Sequence, residues 1–468
     1  MSPRVSREAP PRLDVETDVL VIGAGACGLV AALKARDAGA EAIVVERDAS
    51  PTGSTSMSSG FVPAPATRFQ RAIGVADDTP ERFAADIMAK SKGKSEPALA
   101  RLAAKTIGPA LEWLSRAHGL EWLVLDDFLY PGHSRHRMHA VPEKTGEALL
   151  ARLIAAAEAA DIPIVTEARA TTLFANEGNR IEAVEVTRPD GASEIIGCGA
   201  LVLACNGFGG NRELVAKFIP EIADGLYYGH EGNEGDAVLW GEQIGAELRH
   251  LSGYQGHGSL AHPHGILISW ALMMEGGFQV NTQGQRFSNE HGGYSEQAVN
   301  VLAQPGGIAW NVYDDRLHRF AQGFPDYCDA LDVGAIREGE SVAGLAAVIG
   351  LPADALAETF AEVARCQRGE TADPFGRDFT GKPALAAPFY AVKVTGALFH
   401  TQGGLMINDD ARVLDTEGHA FANLHAGGGA ACGVSGPEVS GYLSGNGLLT
   451  AIAFGYLAGS SAAARKAP

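Results

Sequence analysis

The first apolar positions of the chain follow a strand, a helix and a second strand. Asp18 to Ile22 is a short run rich in β-branched residues, and a helical stretch over 29–38 comes after a glycine-rich turn. Gly39 is expected to end this helix, and the run 41–45 predicts the second strand. A strand, a glycine turn, a helix and a strand in this order are typical of the first half of a dinucleotide-binding fold.

Similar patterns recur far along the chain. The run 199–204 predicts a strand that leads to Asn206-Gly-Phe-Gly-Gly210, and Leu424-His-Ala-Gly-Gly428 repeats the pattern of apolar residues followed by glycines. Gly445-Asn-Gly447 then opens an apolar helix over 448–458. Nucleotide-binding pieces therefore lie towards both ends of the chain, and another segment is inserted between them.

The glycine turn after the first strand carries the sharpest signal. Its sequence is Gly23-Ala-Gly25-Ala-Cys-Gly28, and an acid, Glu46, follows 18 residues after the last glycine. The glycines permit a tight turn and let backbone N–H groups approach a pyrophosphate at the helix N-terminus, while the acid accepts from a ribose hydroxyl. An acid here disfavours a 2′-phosphate and therefore NADP. The alternative is a glycine-rich turn that binds nothing.

The segment after Glu46 indicates whether the bound dinucleotide is FAD or NAD. Arg47 is followed by the Ser/Gly-rich loop 50–60, which suits the wrapping of a longer cofactor. A second site for NAD at 207–210 is disfavoured, because this turn lacks a third glycine at the right spacing and a following acidic strand. FAD is therefore the predicted cofactor. The predicted FAD-binding residues are Gly23, Gly25, Ala26, Cys27, Gly28, Glu46, Arg47, Ser54, Thr55, Ser59, Gly60, Ala170, Asn206, Gly207, Asp236, Gly428, Gly445, Asn446 and Leu448.

Composition narrows the class of protein. The 468 residues carry a formal net charge of −19, which argues against nucleic acid and anionic membrane surfaces as partners. The chain has no run of about 18 apolar residues, so no membrane span is expected. Six cysteines without a CxxC pair favour free thiols and a cytoplasmic location. Two histidine clusters, at 257–264 and 133–139, lack cysteines or paired carboxylates at ligand spacing, so no metal is predicted.

Six motifs spread over nearly the whole chain carry a family resemblance. They are Val21-Ile-Gly-Ala-Gly-Ala-Cys-Gly28, Gly232-Asn-Glu-Gly-Asp236, Asn281-Thr-Gln-Gly-Gln-Arg-Phe-Ser-Asn-Glu290, Phe389-Tyr-Ala-Val-Lys393, His400-Thr-Gln-Gly-Gly404 and Phe454-Gly-Tyr-Leu-Ala-Gly459. Together they resemble the fumarate reductase/succinate dehydrogenase flavoprotein superfamily. This superfamily includes fumarate reductases, urocanate reductases and 3-ketosteroid dehydrogenases.

The resemblance implies an α/β fold class, in which a Rossmann-type FAD-binding domain is interrupted by an α+β capping domain. The substrate is then held between the cap and the isoalloxazine ring. We expect a flexible N-terminal arm at 1–16, the FAD-binding domain at 17–250 and 396–468, and the capping or substrate domain at 251–395. Within the cap, 340–368 predicts two amphipathic helices.

Two positions around the flavin depart from the family pattern. Members with covalent FAD attach it to a histidine in the Ser/Gly-rich loop, and 50–60 contains no histidine, so non-covalent FAD is expected. Members often carry an acid directly after the glycine that matches Gly428. Here that residue is Gly429, so one flavin contact of the family is in doubt.

The reaction centre of the fumarate reductases is only partly present. Its two substrate-binding histidines match His257 and His400, but Tyr442 occupies the place of the arginine that clamps the substrate carboxylate. The Glu and one Arg of the family's proton relay are replaced by Trp270 and Met273. A dicarboxylate would lose its main counter-charges, and a buried carboxylate without a partner is costly. Fumarate reduction is therefore disfavoured.

Two tyrosines match a different branch of the superfamily. Tyr294, four residues after Asn289-Glu290, replaces the proton-donating arginine and fits the catalytic base of the 3-ketosteroid Δ1-dehydrogenases. Tyr442, shortly before the last glycine-rich loop, fits the tyrosine that polarises the substrate ketone in those enzymes, allowing a one-residue gap. Tyr130 is a candidate for a third, supporting tyrosine. The alternatives are that Tyr442 packs beside the flavin and that Tyr294 is a loop residue at the entrance.

This resemblance implies removal of hydrogen across a Cα–Cβ bond next to a ketone. Tyr442 and the amide of Gly445 or Asn446 would stabilise the developing enolate. Tyr294, as tyrosinate, would take the α-proton, and the β-hydrogen would leave as hydride to flavin N5. Tyrosine ordinarily has a pKa near ~10. The base therefore needs a lowered pKa, which His257 or His400 would assist, so activity is expected to rise towards alkaline pH.

The leading hypothesis is an FAD-dependent dehydrogenase of a 3-ketosteroid or cyclic ketone that could also bear a carboxylate. The alternative is a fumarate-reductase-like reductase or dehydrogenase of an unsaturated or saturated carboxylate, which needs a cation from Arg286 or Arg316. A redox sensor or electron carrier with an exposed flavin is a third possibility. The expected electron acceptor is diffusible, a quinone or another redox protein.

Overall fold

The computed structural model describes residues 3–127 and 129–464, and the chain divides into two units. The first unit contains the chain up to Ile219, then Gly229–Tyr254 and the chain from His400 onward. The second unit contains Pro220–Tyr228 and Gln255–Phe399. The first unit is thus assembled from segments on both sides of the second unit in the sequence.

The elements are as follows in chain order. The strands are β1 (Arg4–Ser6), β2 (Val15–Ile22), β3 (Ala42–Val45), β4 (Val62–Pro63), β5 (Leu123–Val124), β6 (Met138–Ala140), β7 (Ile164–Val165), β8 (Arg169–Ala175), β9 (Ile181–Thr187), β10 (Ser193–Leu203), β11 (Leu226–Tyr227), β12 (Leu248–Arg249), β13 (Tyr254–Ala261), β14 (Ile266–Leu267), β15 (Phe278–Val280), β16 (Ile308–Asp314), β17 (Ile336–Gly339), β18 (Phe389–Thr401), β19 (Gly404–Leu405), β20 (Arg412–Leu414) and β21 (Ala420–Ala426). The helices are α1 (Ala26–Asp37), α2 (Arg68–Ala72), α3 (Pro80–Lys90), α4 (Pro97–His118), α5 (Gly146–Ala159), α6 (Arg212–Phe218), α7 (Asp236–Ile244), α8 (Ala271–Met274), α9 (Tyr294–Leu302), α10 (Asp315–Ala321), α11 (Pro325–Asp332), α12 (Val342–Ile349), α13 (Ala353–Gln367) and α14 (Asn446–Ala463).

The sheet of the first unit gathers strands from distant parts of the sequence. β2 pairs in parallel with β3 and with β10, β3 pairs in parallel with β7, and β10 also pairs in parallel with β21. The antiparallel strands β9 and β8 extend the sheet beyond β10. The end of β2, Val19 to Ile22, is buried throughout, as expected for a parallel strand whose two faces are both covered. The carboxyl ends of β2, β3, β10 and β21 therefore lie along one edge, where parallel sheets bind nucleotides.

Helices α1 and α14 pack closely because glycines of α14 occupy their contact, where any larger residue would clash. A Cβ on Gly455 would lie 2.5 Å from the carbonyl oxygen of Cys27, and one on Gly459 would overlap the carbonyl oxygen of Ala31. The Cys27 side chain is buried in this region, which raises the pKa of its thiol to about 12 and leaves it neutral. The C-terminal helix is thus fitted directly against the helix that follows the glycine turn.

The second unit is built on a mixed sheet. β16 pairs antiparallel with β15 and β18, β17 pairs antiparallel with β18, and β11 pairs in parallel with β18. One apolar core of this unit includes Trp270, Tyr313 and Tyr327, and another includes Phe278 and Phe389. No helix among residues 3–127 and 129–464 is long and apolar enough to cross a membrane.

The fold class predicted from the sequence is confirmed, and the element boundaries differ locally. The helix expected over 29–38 begins three residues earlier, because Gly25 is its N-cap and Gly28 lies within its first turn. Two helices, α12 and α13, form as expected within 340–368. The expectation of a loose arm over 1–16 was wrong for Arg4–Ser6, which pairs in parallel with β8. This strand has only three residues and lies among prolines and arginines. It is too short to show the apolar pattern from which a strand is predicted.

Candidate active site

The turn between β2 and α1 is shaped for a group that approaches the backbone closely. Gly23 has a φ of +107°, and a Cβ there would lie 2.5 Å from the carbonyl oxygen of Ala204. A Cβ on Gly28 would overlap the carbonyl oxygen of Gly23. Helix α1 begins after Gly25 without a side-chain cap, so the positive end of its dipole faces the turn. These features fit a pyrophosphate.

Glu46 follows β3 beside this turn. Its carboxylate oxygens accept hydrogen bonds from Ala24 N at 3.0 Å and from Asp48 N at 3.2 Å. These bonds fix the carboxylate, and each oxygen keeps a second lone pair for a hydroxyl donor. The neighbouring Arg47 donates to the carbonyl oxygen of Gly232 at 2.7 Å. The fixed carboxylate is suited to accept a hydrogen bond from a ribose hydroxyl.

The Ser/Gly-rich loop lies against the glycine turn and against the loop after β10. Thr55 Oγ1 accepts from Ala26 N at 3.1 Å, and Ser54 Oγ accepts from Asn206 Nδ2 at 2.7 Å. Three segments that the sequence predicted to surround FAD are therefore joined by hydrogen bonds within the first unit.

The remaining predicted FAD residues differ in their surroundings. Gly60 and Gly428 have positive φ angles of 71° and 57°. Ala170 on β8 and Leu448 on α14 are buried, whereas Ser59 is exposed.

Gly429 leaves no room for the acid that many superfamily members carry at this place. A Cβ there would overlap Asn206 Oδ1 and lie 3.0 Å from the amide nitrogen of Gly207. Asn206 Oδ1 accepts from that amide at 2.8 Å and is therefore held in place. Asn206 and the glycine thus replace an acidic side chain at this point of the first unit.

Two buried side-chain oxygens test whether the site fits FAD. Within the described ranges, Asp236 Oδ1 at the start of α7 and Asn446 Oδ1 at the start of α14 have no hydrogen-bond donor. Burial raises the pKa of Asp236. A buried acceptor without a donor costs about 1–3 kcal/mol. FAD carries ribityl and ribose hydroxyls and a ring N–H that can donate to such oxygens, so the residues present fit this cofactor.

Tyr442 and His400 contact each other in the first unit. Their ring centroids are 5.6 Å apart, with the rings nearly perpendicular at 77°. Tyr442 is 5% exposed, and burial lowers the pKa of His400 to about 4, so the imidazole is neutral at pH 7. A Cβ on Gly447 would lie 2.9 Å from the His400 ring, which places this imidazole against the first turn of α14.

A chain of buried side chains connects His400 with the start of α14. Asn446 Nδ2 donates to Ser435 Oγ at 3.0 Å, and Ser435 Oγ donates to Gln402 Oε1 at 2.7 Å. Gln402 Nε2, which can only donate, lies 3.0 Å from His400 Nδ1, and the carbonyl oxygen of Thr401, which can only accept, lies 3.3 Å from the same nitrogen. His400 Nδ1 thus faces one donor and one acceptor, and these contacts do not select one tautomer. Gln402 and Ser435 were not predicted as site residues, and only the position of Gln402 within the His400–Gly404 motif pointed to it.

His257 and Tyr294 are stacked in the second unit. Their ring centroids are 4.8 Å apart with an interplanar angle of 24°, and Phe399 also stacks on His257 at 5.2 Å. His257 Nδ1 accepts from Ser259 N at 3.1 Å, so the neutral ring carries its proton on Nε2. Burial lowers the pKa of His257 to about 3.

Tyr294 is held beside His257 by the N-terminus of α9. Ser295, the next residue, accepts from Gly256 N in β13 through its Oγ at 2.9 Å. Gly293 before it has a φ of 141°, which allows the chain to enter the helix directly at Tyr294. The tyrosine therefore lies on a fixed helix start, where the dipole favours negative charge.

The candidate cations for a carboxylate substrate are occupied. Arg286 forms buried ion pairs with Glu290, at 2.7 Å, and with Asp373. Arg377 also pairs with Glu290 at 3.0 Å. Arg316 donates to the carbonyl oxygen of Glu275 at 2.9 Å and is exposed. Arg286 thus has two carboxylate partners within its own unit.

Trp270 and Met273, at the former relay positions, belong to the apolar core of the second unit. Trp270 Nε1 donates to the carbonyl oxygen of Glu290 at 3.1 Å, and Met273 is fully buried. Tyr130 lies in the first unit, with its ring edge-on to Phe61 at 6.2 Å. The structure therefore brings together His400 with Tyr442 and His257 with Tyr294, each pair within one unit.

A glycine turn after a parallel strand, a held acid and buried acceptors define an FAD-dependent oxidoreductase. The family model described as "FAD binding domain" matches residues 18–448, and the chain belongs to this family of flavoproteins. Like the fumarate reductases among its relatives, the chain is an FAD-dependent oxidoreductase that acts on CH–CH groups.

Relatives from two branches cover most of the chain. It is 30% identical over 451 residues to a probable fumarate reductase, Ifc3, of Shewanella frigidimarina, covering 96% of this chain and 75% of that protein. It is 26% identical over 555 residues to 4-oxocyclohexanecarboxylate 2-dehydrogenase of Sinomonas cyclohexanicum, covering 96% of this chain and 93% of that one.

Solved structures share the same fold. An open conformation of a flavocytochrome c3 fumarate reductase superimposes with a TM-score of 0.81 at 28% identity, covering 97% of this chain and 79% of the other. The 3-ketosteroid-Δ4-(5α)-dehydrogenase of Rhodococcus jostii RHA1 gives a TM-score of 0.79 at 23% identity, covering 99% of this chain and all of the other. The second likeness concerns the fold alone.

Proposed function

We propose that this chain is an FAD-dependent ketone desaturase, which introduces a C=C bond α,β to the carbonyl of a cyclic ketone. A 3-oxosteroid and a cyclic ketone that bears a carboxylate are the substrate types to compare. The proposal is supported by the relative that is named as a 4-oxocyclohexanecarboxylate 2-dehydrogenase and is similar over 96% of the chain.

One observation carries the proposal. Of the two histidines that match the carboxylate-binding pair of the fumarate reductases, His257 is buried and His400 is partly buried; both are neutral, and each lies against a tyrosine ring. A neutral imidazole offers an N–H donor but no counter-charge for a dicarboxylate. Tyrosine hydroxyls beside neutral imidazole N–H donors instead suit a ketone. The ketone is uncharged when it binds, and its oxygen becomes negative only during the reaction.

In this proposal, side chains and a backbone amide of the protein carry out separate parts of the reaction. Tyr442 Oη donates to the ketone oxygen together with a backbone amide, and this stabilises the negative charge that develops there. Of the two amides considered, that of Asn446 already donates to the carbonyl oxygen of Leu443 at 3.0 Å, which leaves Gly445. Tyr294 removes the α-proton, and His257 supports the tyrosine oxygen. FAD, when bound, supplies the acceptor for the β-hydrogen and its electron pair.

Anaerobic reduction of the holoprotein tests this function. The probes are 4-oxocyclohexanecarboxylate, 4-androstene-3,17-dione and succinate, added under nitrogen while the absorbance of the oxidised flavin is followed. We expect a ketone to bleach the flavin. Tyr294→Phe should slow bleaching by about 10²–10⁴-fold and Tyr442→Phe by about 10²–10³-fold.

Tyr456→Phe is the matched control, because that tyrosine packs against Trp113 and is not part of either pair. It should bleach at the unmodified rate. Ketone bleaching that is indifferent to both site tyrosines contradicts the assignment of roles. Bleaching by succinate alone contradicts the ketone substrate.

A second candidate function is reduction of an unsaturated carboxylate, favoured by the 30% identity to a probable fumarate reductase. Oxidation of reduced methyl viologen by fumarate would support it. The buried ion pairs of Arg286 speak against it, because they occupy one of the two arginines considered as the cation for such a substrate, and the other, Arg316, is exposed. For either function, we propose that the physiological electron partner is diffusible, a quinone or a redox protein.

A further inference from the structure

The peptide unit between Ser444 and Gly445 has two ends with different surroundings. In a trans peptide the C=O and N–H groups point in opposite directions. The carbonyl oxygen belongs to Ser444, and the amide N–H belongs to Gly445, the donor assigned above to the ketone oxygen. Gly445 has a φ of +84° and is a glycine, so this peptide can rotate easily unless a neighbour holds it.

His133 holds the carbonyl end of this peptide. Its Nε2 lies 3.0 Å from the carbonyl oxygen of Ser444, which can only accept, so the proton is on Nε2. Its Nδ1 lies 3.4 Å from Arg137 Nη1, which can only donate. The two partners thus require the same tautomer of a neutral imidazole. Burial lowers the pKa of His133 to about 3, which agrees with that protonation state.

His133 is itself fixed by a buried ion cluster. Arg137, with a fully buried side chain, pairs with Asp78 at 2.8 Å and with Asp86 at 2.6 Å. The ring of Phe83 stacks on His133 at 5.9 Å and lies under the Arg137 guanidinium at 4.6 Å. An arginine held by two carboxylates cannot move away from His133 without leaving a buried charge unpaired.

Gly132, the residue before His133, lies close to the loop that contains Leu443 and Gly445. A Cβ on Gly132 would lie 2.7 Å from Leu443 Cδ1, and one on Gly445 would lie 2.6 Å from Pro63 Cδ. The segment that carries His133 therefore lies directly against the loop that carries Tyr442 at Gly132, and Gly445 in that loop lies against Pro63 of β4.

We propose that His133 is a positioning residue for the reaction: by binding the Ser444 carbonyl oxygen, it directs the Gly445 N–H towards the substrate oxygen. This inference rests on the proposed ketone chemistry. A hydrogen bond to the carbonyl also polarises the peptide and strengthens its N–H as a donor. Without His133 the peptide is free to turn, and its carbonyl oxygen would then face the developing negative charge.

Steady-state kinetics of three holoprotein variants test the role. In His133→Gln the side-chain amide can replace the Nε2–H donor, whereas His133→Asn is too short and His133→Phe has no donor. We expect kcat for ketone oxidation to fall about 10²-fold in His133→Phe and His133→Asn. His133→Gln should stay within about fivefold of the unmodified enzyme, and KM should change less than kcat in each variant.

His139→Gln is the matched control, since this buried histidine lies in the same segment but contacts Thr67 Oγ1 at 2.7 Å. It should retain its kcat. A purely structural role of His133 predicts equal losses in the Gln, Asn and Phe variants, and this result would overturn the inference, as would an unchanged kcat in His133→Asn.

Failure of the inference and failure of the proposed function are distinguishable. If the unmodified holoprotein oxidises no ketone, the ketone function is refuted and the positioning role falls with it. If the unmodified protein is active and the variants do not differ, only the role of His133 is refuted. Crystal structures of the holoprotein and of His133→Asn should show the Ser444 carbonyl in different orientations, and identical orientations would contradict the inference.

Discussion

At the scale of single residues, the two tyrosines illustrate what a sequence can and cannot reveal. Tyr294 and Tyr442 could be selected because motifs place them at fixed distances from Glu290 and Asn446. The two histidines were also selected from motifs, but which histidine each tyrosine contacts could not be predicted, because the two rings of each pair come from different segments. His257 and Tyr294 are 37 positions apart, and His400 and Tyr442 are 42 apart, yet each pair is in ring contact. Their assignment to one catalytic reaction remains a proposal.

Gln402 offers a residue-scale prediction about His400. Gln402→Glu places a carboxylate beside Nδ1, where it favours the imidazolium form. We expect the pKa of His400 to rise from about 4 to roughly 5–7. Histidine ¹⁵N NMR of the holoprotein over pH 4–8 measures this, together with the pH profile of kcat/KM.

Gln367→Glu serves as the control, because Gln367 donates a solvent-exposed hydrogen bond to the carbonyl oxygen of Pro383. Its histidine titration curves should match those of the unmodified protein. A His400 titration that stays near pH 4 in Gln402→Glu would contradict the hydrogen bond between the two side chains.

At the scale of elements, the turn between β15 and α9 is stabilised by buried charge. Glu290 accepts from Gln279 N at 3.0 Å and pairs with Arg286 and Arg377. Burial alone would raise the pKa of Glu290, but the two arginines outweigh burial and lower it. The sequence motif marked this turn, but the contribution of Arg377 and Asp373 was not predictable, since they lie more than 80 residues further along.

Removing this charge should destabilise the second unit. Glu290→Gln leaves Arg286 and Arg377 with a neutral partner, and breaking a buried ion pair costs about 3–5 kcal/mol. Urea unfolding of the holoprotein measures the loss. Glu370→Gln is the matched control, because Glu370 pairs with Arg368 at the surface, where solvent screens the pair. Equal midpoints for the two variants would show that the buried network is not stabilising.

At the scale of the whole molecule, three buried histidines and the partly buried His400 link stability to pH. Burial lowers the pKa values of His133 and His257 to about 3 and those of His139 and His400 to about 4, against 6.5 in an unfolded chain. The unfolded chain therefore binds more protons than the folded one below pH 6.5. Stability is full above that pH and falls as the pH drops towards 4.

Between pH 6.5 and 5, each histidine contributes a slope that approaches about 1.4 kcal/mol per pH unit. We expect a steep loss of stability on mild acidification, measured by urea unfolding at several pH values. His139→Gln should reduce the slope by about one proton. An equal slope in His139→Gln and the unmodified protein would contradict this account.

The parts of the fold that the glycine motifs specify were predictable, because each motif consists of residues that are adjacent in the sequence. The strand, turn and helix from Asp18 to Asp37 follow from adjacent residues, and so does the helix start at Asn446. The order of strands in the sheet was not predictable, because β10 joins β2, β9 and β21 through pairings between residues far apart.

The packing of α14 on α1 has a consequence for biosynthesis. Residues 26–37 are translated more than 400 codons before the helix that covers them, Asn446–Ala463. The contact between the two helices therefore forms only after every residue of the second unit has been made.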